Sequence, residues 1–342
     1  MKKNICRIGM LLIVLVSIGS YIIINKSACV KNEVDSIKEI NSFELPTIKS
    51  KKEFVRLIQD NIVYNNALHS TGNITGFNNS SDRENLIFDD DNEGMVGGDV
   101  IRIDNKYIYI VNNNILYIVA TNHQKLEVIT KIYLKHETNI SEIFIDDDKL
   151  IIIGNRSGFH LGELPVSTKE EKTTVEYQHR YDVNRGTCYV KIYDLNNIYS
   201  PKIVKDYTFD GNYILGEIIE HNLYMVSSRY VNYYSNVILE CNVNETLLPV
   251  FMDNITRQRN IVDYDEIKYF PGSIETSYLV TIGINLVTME DGPDVDVYLD
   301  TSGNIYLSEN YLCVSSYDCK NDNTTIYEFL LNNGHIKENG KR

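Results

Sequence analysis

The sequence predicts an all-β body built from a repeated four-stranded unit, carried behind an apolar N-terminal segment. Two observations predict it. Most of the chain alternates apolar and polar residues at period two, the period of a half-buried strand. A polar turn followed by a strand of aromatic and β-branched residues then recurs four times. A 43% share of hydrophobic residues is enough to bury a sizeable core, which excludes wholesale disorder.

Charge and cysteine content exclude two classes. The 342 residues hold 33 Lys+Arg against 47 Asp+Glu, a net charge of −14. Nucleic acid as a partner demands clustered Lys and Arg, so it is excluded. Six Cys are too few for a disulfide-built scaffold of this length.

At the N-terminus, Lys2, Lys3 and Arg7 precede an uncharged run from Ile8 to Ile24. As a helix this run spans roughly 25 Å at about 1.5 Å per residue, just enough for a bilayer. The positive flank stays in the cytoplasm and sends the rest outside. The sequence therefore predicts a signal anchor over residues 1–25, single-pass in the cell membrane, with the body extracytoplasmic. Two processed forms stand beside it. Cleavage after Ala28 would secrete the body, but Lys26 spoils the small-x-small site. A lipid on Cys29 meets the same Lys26, where an apolar residue is wanted.

Residues 26–97 read as a stalk with one short helix. Ser50 and Glu53 make a capping box, and Phe54, Leu57 and Ile58 form one amphipathic face. The polar stretch from Ser70 to Asn92 reads as a flexible loop. Within it, Asp89, Asp91, Glu93 and Gly94 open like a calcium loop, but Val100 stands where the closing Glu belongs. No metal site is predicted there.

Residues 98–342 carry the repeat. Its four copies are Ile103–Val111, Asp146–Gly154, Ile219–Ser227 and Leu307–Ser315. Aligned on Tyr107, Leu150, Leu223 and Tyr311, they step by 43, 73 and 88 residues. The first step matches a propeller blade of about 40–45 residues, and the longer ones are the same unit with inserts. Each copy has a partner strand: Ile115–Val119, Cys188–Leu195, Tyr278–Ile284 and Thr325–Phe329. Lys202–Phe209 reads as an outer strand, and the inserts fall between second and third strands, near 155–187 and 228–277. The predicted fold is a β-propeller of four-stranded antiparallel blades, about four of them present. A β-sandwich is the competing architecture.

With these segments in view, the chain resembles a family of secreted or membrane-anchored bacterial and archaeal proteins. Their C-terminal β-propeller is distantly related to WD40 repeats. The resemblance rests on Gly98–Asp104 running into Lys106–Tyr109, on Val190–Leu195 with Ser200-Pro201-Lys202, and on Leu248–Phe251, Tyr269–Gly272 and Gly303–Asn310. Leu45-Pro46 before the helix resembles the family's pre-propeller segment. The family implies a fold and no established activity. Two departures stand out. Val96-Gly97-Gly98-Asp99 replaces the family's acidic Asp-Glu-Ala-Asp stretch, and family members run on for further blades where this sequence stops at Arg342. The expected ring is therefore incomplete, as in a truncated reading frame.

Catalytic signatures are sparse. No two of the seven His lie within five residues, so there is no His-x-x-x-His zinc pair. Gly154-Asn155-Arg156-Ser157-Gly158 has the wrong spacing for a nucleophile elbow. No P-loop or dinucleotide fingerprint occurs, and no catalytic, cofactor or metal residue is assigned. Cys313 and Cys319 are near enough in sequence for a turn to join them. Asp146, Asp147 and Asp148 suit an inter-strand turn. The long insert places Asp263 and Asp265 beside Tyr264, Tyr269 and Phe270, and this group is the candidate partner-binding patch. Packing of the insert onto the propeller is the plainer alternative. With no Trp, the chain lacks the best saccharide platform and the WD40 signature.

The expected function is a membrane-tethered binding or scaffold module without catalysis or cofactor, facing a protein or cell-surface polymer. The alternative is a propeller hydrolase or lyase that uses loop carboxylates on cell-surface polymers. An incomplete ring exposes edges and apolar flanks. Residues 98–342 alone are therefore expected to be poorly soluble, and a soluble, cooperatively unfolding monomer of that segment would contradict the reading.

Overall fold

A computed structural model describes residues 43–70, 100–112, 114–122, 125–134, 139–156, 186–230, 248–272, 277–289, 291–299, 304–318 and 321–342. The predicted anchor, Cys29, the loop with Asp89–Gly94 and most of the first insert lie outside the described residues. No helix among the described residues is long and apolar enough to cross a membrane.

Four sheets follow one another along the described chain, each with a core of four antiparallel strands. Blade 1 is β1 (Ile101–Ile103), β2 (Tyr107–Asn112), β3 (Ile115–Asn122) and β4 (Lys125–Tyr133). Blade 2 is β5 (Asn139–Asp146), β6 (Lys149–Arg156), β7 (Thr187–Asp194) and β8 (Lys202–Asp210). Blade 3 begins with β9 (Asn212–Ile219) and β10 (Asn222–Tyr230). Its insert forms β11 (Val250–Asp253), β12 (Gln258–Ile261) and β13 (Ile267–Tyr269), before β14 (Ser277–Asn285) and β15 (Asp294–Leu299) complete the sheet. Blade 4 is β16 (Ile305–Leu307), β17 (Tyr311–Asp318), β18 (Asn323–Asn332) and β19 (His335–Lys341). Every predicted copy spans a first strand, its turn and a second strand, and every predicted partner is a third strand. Among the described residues, the blades pack in chain order and close no ring.

The sequence alignment of the copies is off by one residue in two blades. The inner turn takes two residues in blades 2 and 3, at Asp147-Asp148 and Glu220-His221. It takes three in blades 1 and 4. In blade 1, Asp104 Oδ1 accepts from the backbone N–H of Lys106 at 2.6 Å and of Tyr107 at 2.7 Å. In blade 4, Ser308 Oγ accepts from Tyr311 N at 3.3 Å. The equivalents of Leu150 and Leu223 are thus Ile108 and Leu312, not Tyr107 and Tyr311. A one-residue slip exchanges the two faces of a strand, so the shift decides which side chains enter which seam.

Each seam is made by a forward face meeting the rear face of the next blade. Between blades 1 and 2, Tyr109, Val111, Leu116 and Ile118 meet Leu150, Ile152, Tyr189 and Tyr193. Between blades 2 and 3, Ile151, Ile153, Val190 and Ile192 meet Leu223, Met225, Val280 and Ile282. Between blades 3 and 4, the Tyr298 ring stands 5.3 Å from Phe329, and Tyr224 Oη accepts from Gly334 N at 3.0 Å. The blades approach so closely there that a Cβ on Gly283 would sit 2.1 Å from Gly334 O.

The pre-propeller segment lies inside this body rather than in a stalk. Residues Glu44–Arg342 form one compact unit. Ile48 N donates to Ile267 O at 2.8 Å and Tyr269 N to Pro46 O at 3.0 Å, which adds the segment to β13. Helix α1 (Lys51–Ser70) follows, with Ser50 Oγ accepting from Glu53 N at 3.3 Å. Its amphipathic stripe needs an apolar partner and finds one beside the seam of blades 2 and 3. Phe54 and Ile58 are fully buried, and the Phe54 ring lies 5.4 Å from Tyr264 and 6.3 Å from Tyr278. The insert closes edges in the same way. The β11–β12 hairpin extends blade 2 beyond β8, and β13 pairs in parallel with β15.

A buried ion pair crosses the same seam. Arg229 Nη1 lies 2.9 Å from Asp210 Oδ2, with the side chains 9% and 1% exposed. Asp210 Oδ2 also accepts from Val250 N at 3.1 Å, and Arg229 donates to Leu248 O at 3.2 Å. The pair therefore sets where β11 leaves the second insert.

Truncating Phe54 to Ala should cost about 3–5 kcal/mol in urea denaturation, the usual cost of emptying a buried phenyl site. A loss under about 1 kcal/mol would show that the helix is not part of the folded body. Burial pushes the Cys188 thiol up to about 12, so peptide mapping after alkylation at about pH 8 should find it modified only in unfolded protein.

Candidate functional site

The inner strands of blades 2 and 3 flank a cleft of about 550 Å³. Phe144, Ile145 and Ile218 give it apolar walls, and Asp146, Glu217, Glu220 and His221 give it charge. The β9–β10 turn is tight, with Glu220 at φ 47° and His221 at φ 60°. Both residues sit in the left-handed region that a two-residue hairpin of this hand requires. That geometry turns His221 toward blade 2. Its Nδ1 lies 2.9 Å from Asp146 Oδ1 and 3.6 Å from Asp147 Oδ2.

The predicted Asp146–Asp148 run is divided by the structure. Asp148 turns the other way, 2.8 Å from Lys149 Nζ and accepting from Asn196 Nδ2 at 2.8 Å. The hydrogen bond from Lys149 holds its carboxyl below the usual range. Asp146, Asp147 and His221 bring one donor atom each within 4.8 Å of one another. The imidazole–carboxylate contact accounts for that spacing without an ion. Spacing in the sequence does not single out His221, which lies far from every other His. A signal was present, since Glu220-His221 fills the inner turn of copy three as Asp147-Asp148 fills that of copy two.

Deeper along the inner strands, Glu142 of β5 joins three blades. Arg102 of β1 reaches it at 3.2 Å, donates from Nε to Ile143 O at 2.7 Å, and lies 5.6 Å over the Phe144 ring. Tyr213 of β9 donates its hydroxyl to the other Glu142 oxygen, and its backbone N–H donates to Asn155 Oδ1 at 2.7 Å. Burial raises the Glu142 carboxyl above its ordinary value. Tyr213 and Arg102 pull against that rise, and the Glu217 charge adds to it. Burial, then the Glu142 charge, drives the Tyr213 phenol far upward.

The residues predicted as a partner patch are separated by the structure. Phe270 is 2% exposed, its ring 5.6 Å from Tyr298 and 4.7 Å from Tyr327, inside the seam of blades 3 and 4. Tyr264 and Tyr269 are half-buried against the core that holds Phe54. Asp263 and Asp265 are exposed, and the Asp263 backbone N–H donates to the nearby Glu266 Oε2 at 2.9 Å. The segment thus turns its rings inward and shows its carboxylates to solvent. Cys313 is a free, half-buried thiol, and Cys319 lies outside the described residues.

Successive four-stranded antiparallel sheets, each face to face with the next and joined inner strand to outer strand, define a β-propeller. Residues 91–342 match a family described as a beta propeller domain, and the chain belongs to that family. No curated protein matches the chain.

A raised carboxyl pKa means the fold holds that proton more tightly than the unfolded chain. The stability it contributes is largest below the ordinary glutamate value of 4.5 and falls as pH rises toward the folded value. In urea titrations from about pH 4 to about pH 7, wild type should lose stability relative to Glu142→Gln. A difference that is constant or grows with pH would contradict the burial argument.

Proposed function

We propose that this propeller is an extracytoplasmic binding or scaffold module, tethered to the membrane by residues 1–25. The family supports a propeller scaffold at the coarse level. The tether is supported by the apolar run Ile8–Ile24 behind Lys2, Lys3 and Arg7. The single observation that carries the binding reading is the cleft between blades 2 and 3, a concave site on a rigid two-blade frame. Its apolar walls and carboxylate rim suit a cationic group on an apolar stem, carried by a partner protein or a cell-surface polymer.

The competing reading is a hydrolase or lyase acting on such polymers. One observation favours it: the Glu142 carboxyl is raised, with the Glu217 charge contributing. Against it, Arg102 and Tyr213 already engage both Glu142 oxygens, which is the arrangement of an inter-blade tie.

Fractionation tests the tether. The full chain should stay with membranes after alkaline washing and be cut by protease added outside the cells. Recovery in the cytosol, protected from that protease, would contradict it. For the cleft, capture from cell-surface extracts should fall at least several-fold in Glu217→Lys while the melting temperature holds. Unchanged capture would remove the cleft as the binding site, and turnover of a surface polymer abolished by Glu142→Gln would favour the enzyme.

A further inference from the structure

A second charged cluster lies where the outer strands of blades 3 and 4 meet, away from the cleft. Lys268 of β13 shares a sheet face with Asp294, Asp296 and Tyr298 of β15, and Glu338 of β19 meets them from blade 4. Lys268 Nζ lies 2.8 Å from Glu338 Oε1 and 3.4 Å from Asp296 Oδ1. The Lys268, Glu338 and Asp296 side chains are 24%, 9% and 29% exposed. The other Glu338 oxygen accepts from Leu45 N at 2.5 Å, which fixes the carboxylate beside the amine. The floor of the cluster is aromatic. Lys268 Nζ stands 5.6 Å over the Tyr298 ring, which is fully buried against Phe270 and Phe329. At the more exposed end, His335 Nδ1 lies 3.0 Å from Asp294 Oδ2.

We infer that Lys268 and Asp296 condense into an amide, a covalent cross-link between β13 and β15, with Glu338 as the proton acceptor. The cluster holds each group that such a condensation needs. Near-attack conformers keep reacting groups about 3–3.5 Å apart, and the amine and the carboxyl already stand at that separation. Burial raises the Asp296 carboxyl above its ordinary value, against the pull of Lys268 and with the Asp294 and Glu338 charges adding to the rise. That favours the protonated, electrophilic carboxyl. Desolvation disfavours the Lys268 ammonium, but Glu338 and Asp296 outweigh it, so a proton passes to Glu338 before the nitrogen attacks. Nζ then adds to Cγ, and a second amine proton leaves with the carboxyl hydroxyl as water. The Nζ–Cγ bond forms, one Cγ–O bond breaks, Glu338 is left protonated, and nothing is oxidised or reduced. The product removes charge from a half-buried site where an ion pair carries a desolvation cost. It also welds the three-residue strand to which residues 46–48 pair, the point where the pre-propeller segment joins the blades.

Peptide mapping of the purified full chain by mass spectrometry tests this. Trypsin followed by a protease that cuts after Glu opens the chain at Glu275 and Glu290, between the two residues. The peptides that carry Lys268 and Asp296 should still travel as one species, lighter than their sum by one water, with no tryptic cut after Lys268. Lys268→Arg keeps the charge but offers no amine, and should release the two peptides separately. Glu338→Gln, sampled over time after cell-free synthesis, should link about a hundredfold more slowly, the usual loss on removing a general base. Folded wild type, shown by a cooperative melt, that yields two separate peptides of full mass overturns the inference whether or not the variants fold. Linking at the wild-type rate in Glu338→Gln overturns the role of Glu338, and a linked species in Lys268→Arg overturns that of Lys268.

Discussion

A sheet that is apolar on both faces must be covered on both, and this requirement shapes the whole body. In blade 2 the alternate residues Leu150 and Ile152 point to one side, Ile151 and Ile153 to the other, and all four are fully buried. A single such blade in water would leave one face or both exposed, at roughly 25 cal/mol for each Å² of apolar surface. The blades are therefore stable only in series, as in other repeat architectures where each unit leans on its neighbours. The same demand explains the accessory pieces. Helix α1 and the strand before it cover the region beside the seam of blades 2 and 3, and the β11–β12 hairpin and β13 extend sheet edges there.

Polar ties run through these apolar seams and tighten their register. Asp210 and Arg229 join blades 2 and 3 at one end, and Asp146 and His221 join them at the other. Arg102, Glu142 and Tyr213 link three inner strands. Lys268 Nζ lies 2.8 Å from Glu338 Oε1 of blade 4, and the other Glu338 oxygen accepts from Leu45 N at 2.5 Å, so the pre-propeller segment reaches two blades through one carboxylate. Of these ties, only Asp210 and Arg229 are buried on both sides, and removing either would strand the other charge, a loss of about 3–5 kcal/mol.

Much of this was legible in the sequence because it is local. A polar turn followed by an alternating strand needs only neighbouring residues, and all four copies and their third strands were found from that pattern. Register was less legible. Tyr107 and Tyr311 align with Leu150 and Leu223 by residue type, but an extra turn residue in blades 1 and 4 moves the equivalent position to Ile108 and Leu312. The destination of Phe54 and Ile58 was hidden for a different reason: an amphipathic stripe says that a helix must be covered and not by what. Phe270 and Tyr264 read as anchors for a partner because exposed aromatics and inward-packed ones on an insert have the same composition. The contact of His221 with Asp146 joins residues far apart in sequence, and only the blade equivalence of their turns places them side by side.

The central claim is that blades 2 and 3 and residues 45–58 are one cooperative body, held by the seam between the blades. Hydrogen exchange on the full chain, followed by mass spectrometry, measures this most directly. The account predicts that amides of β6, β7, β10, β14 and the first two turns of α1 exchange together, with one opening free energy that Phe54→Ala lowers for all of them alike. If residues 45–58 exchange freely while the strands stay protected, or if blades 2 and 3 open independently of each other, the account is contradicted.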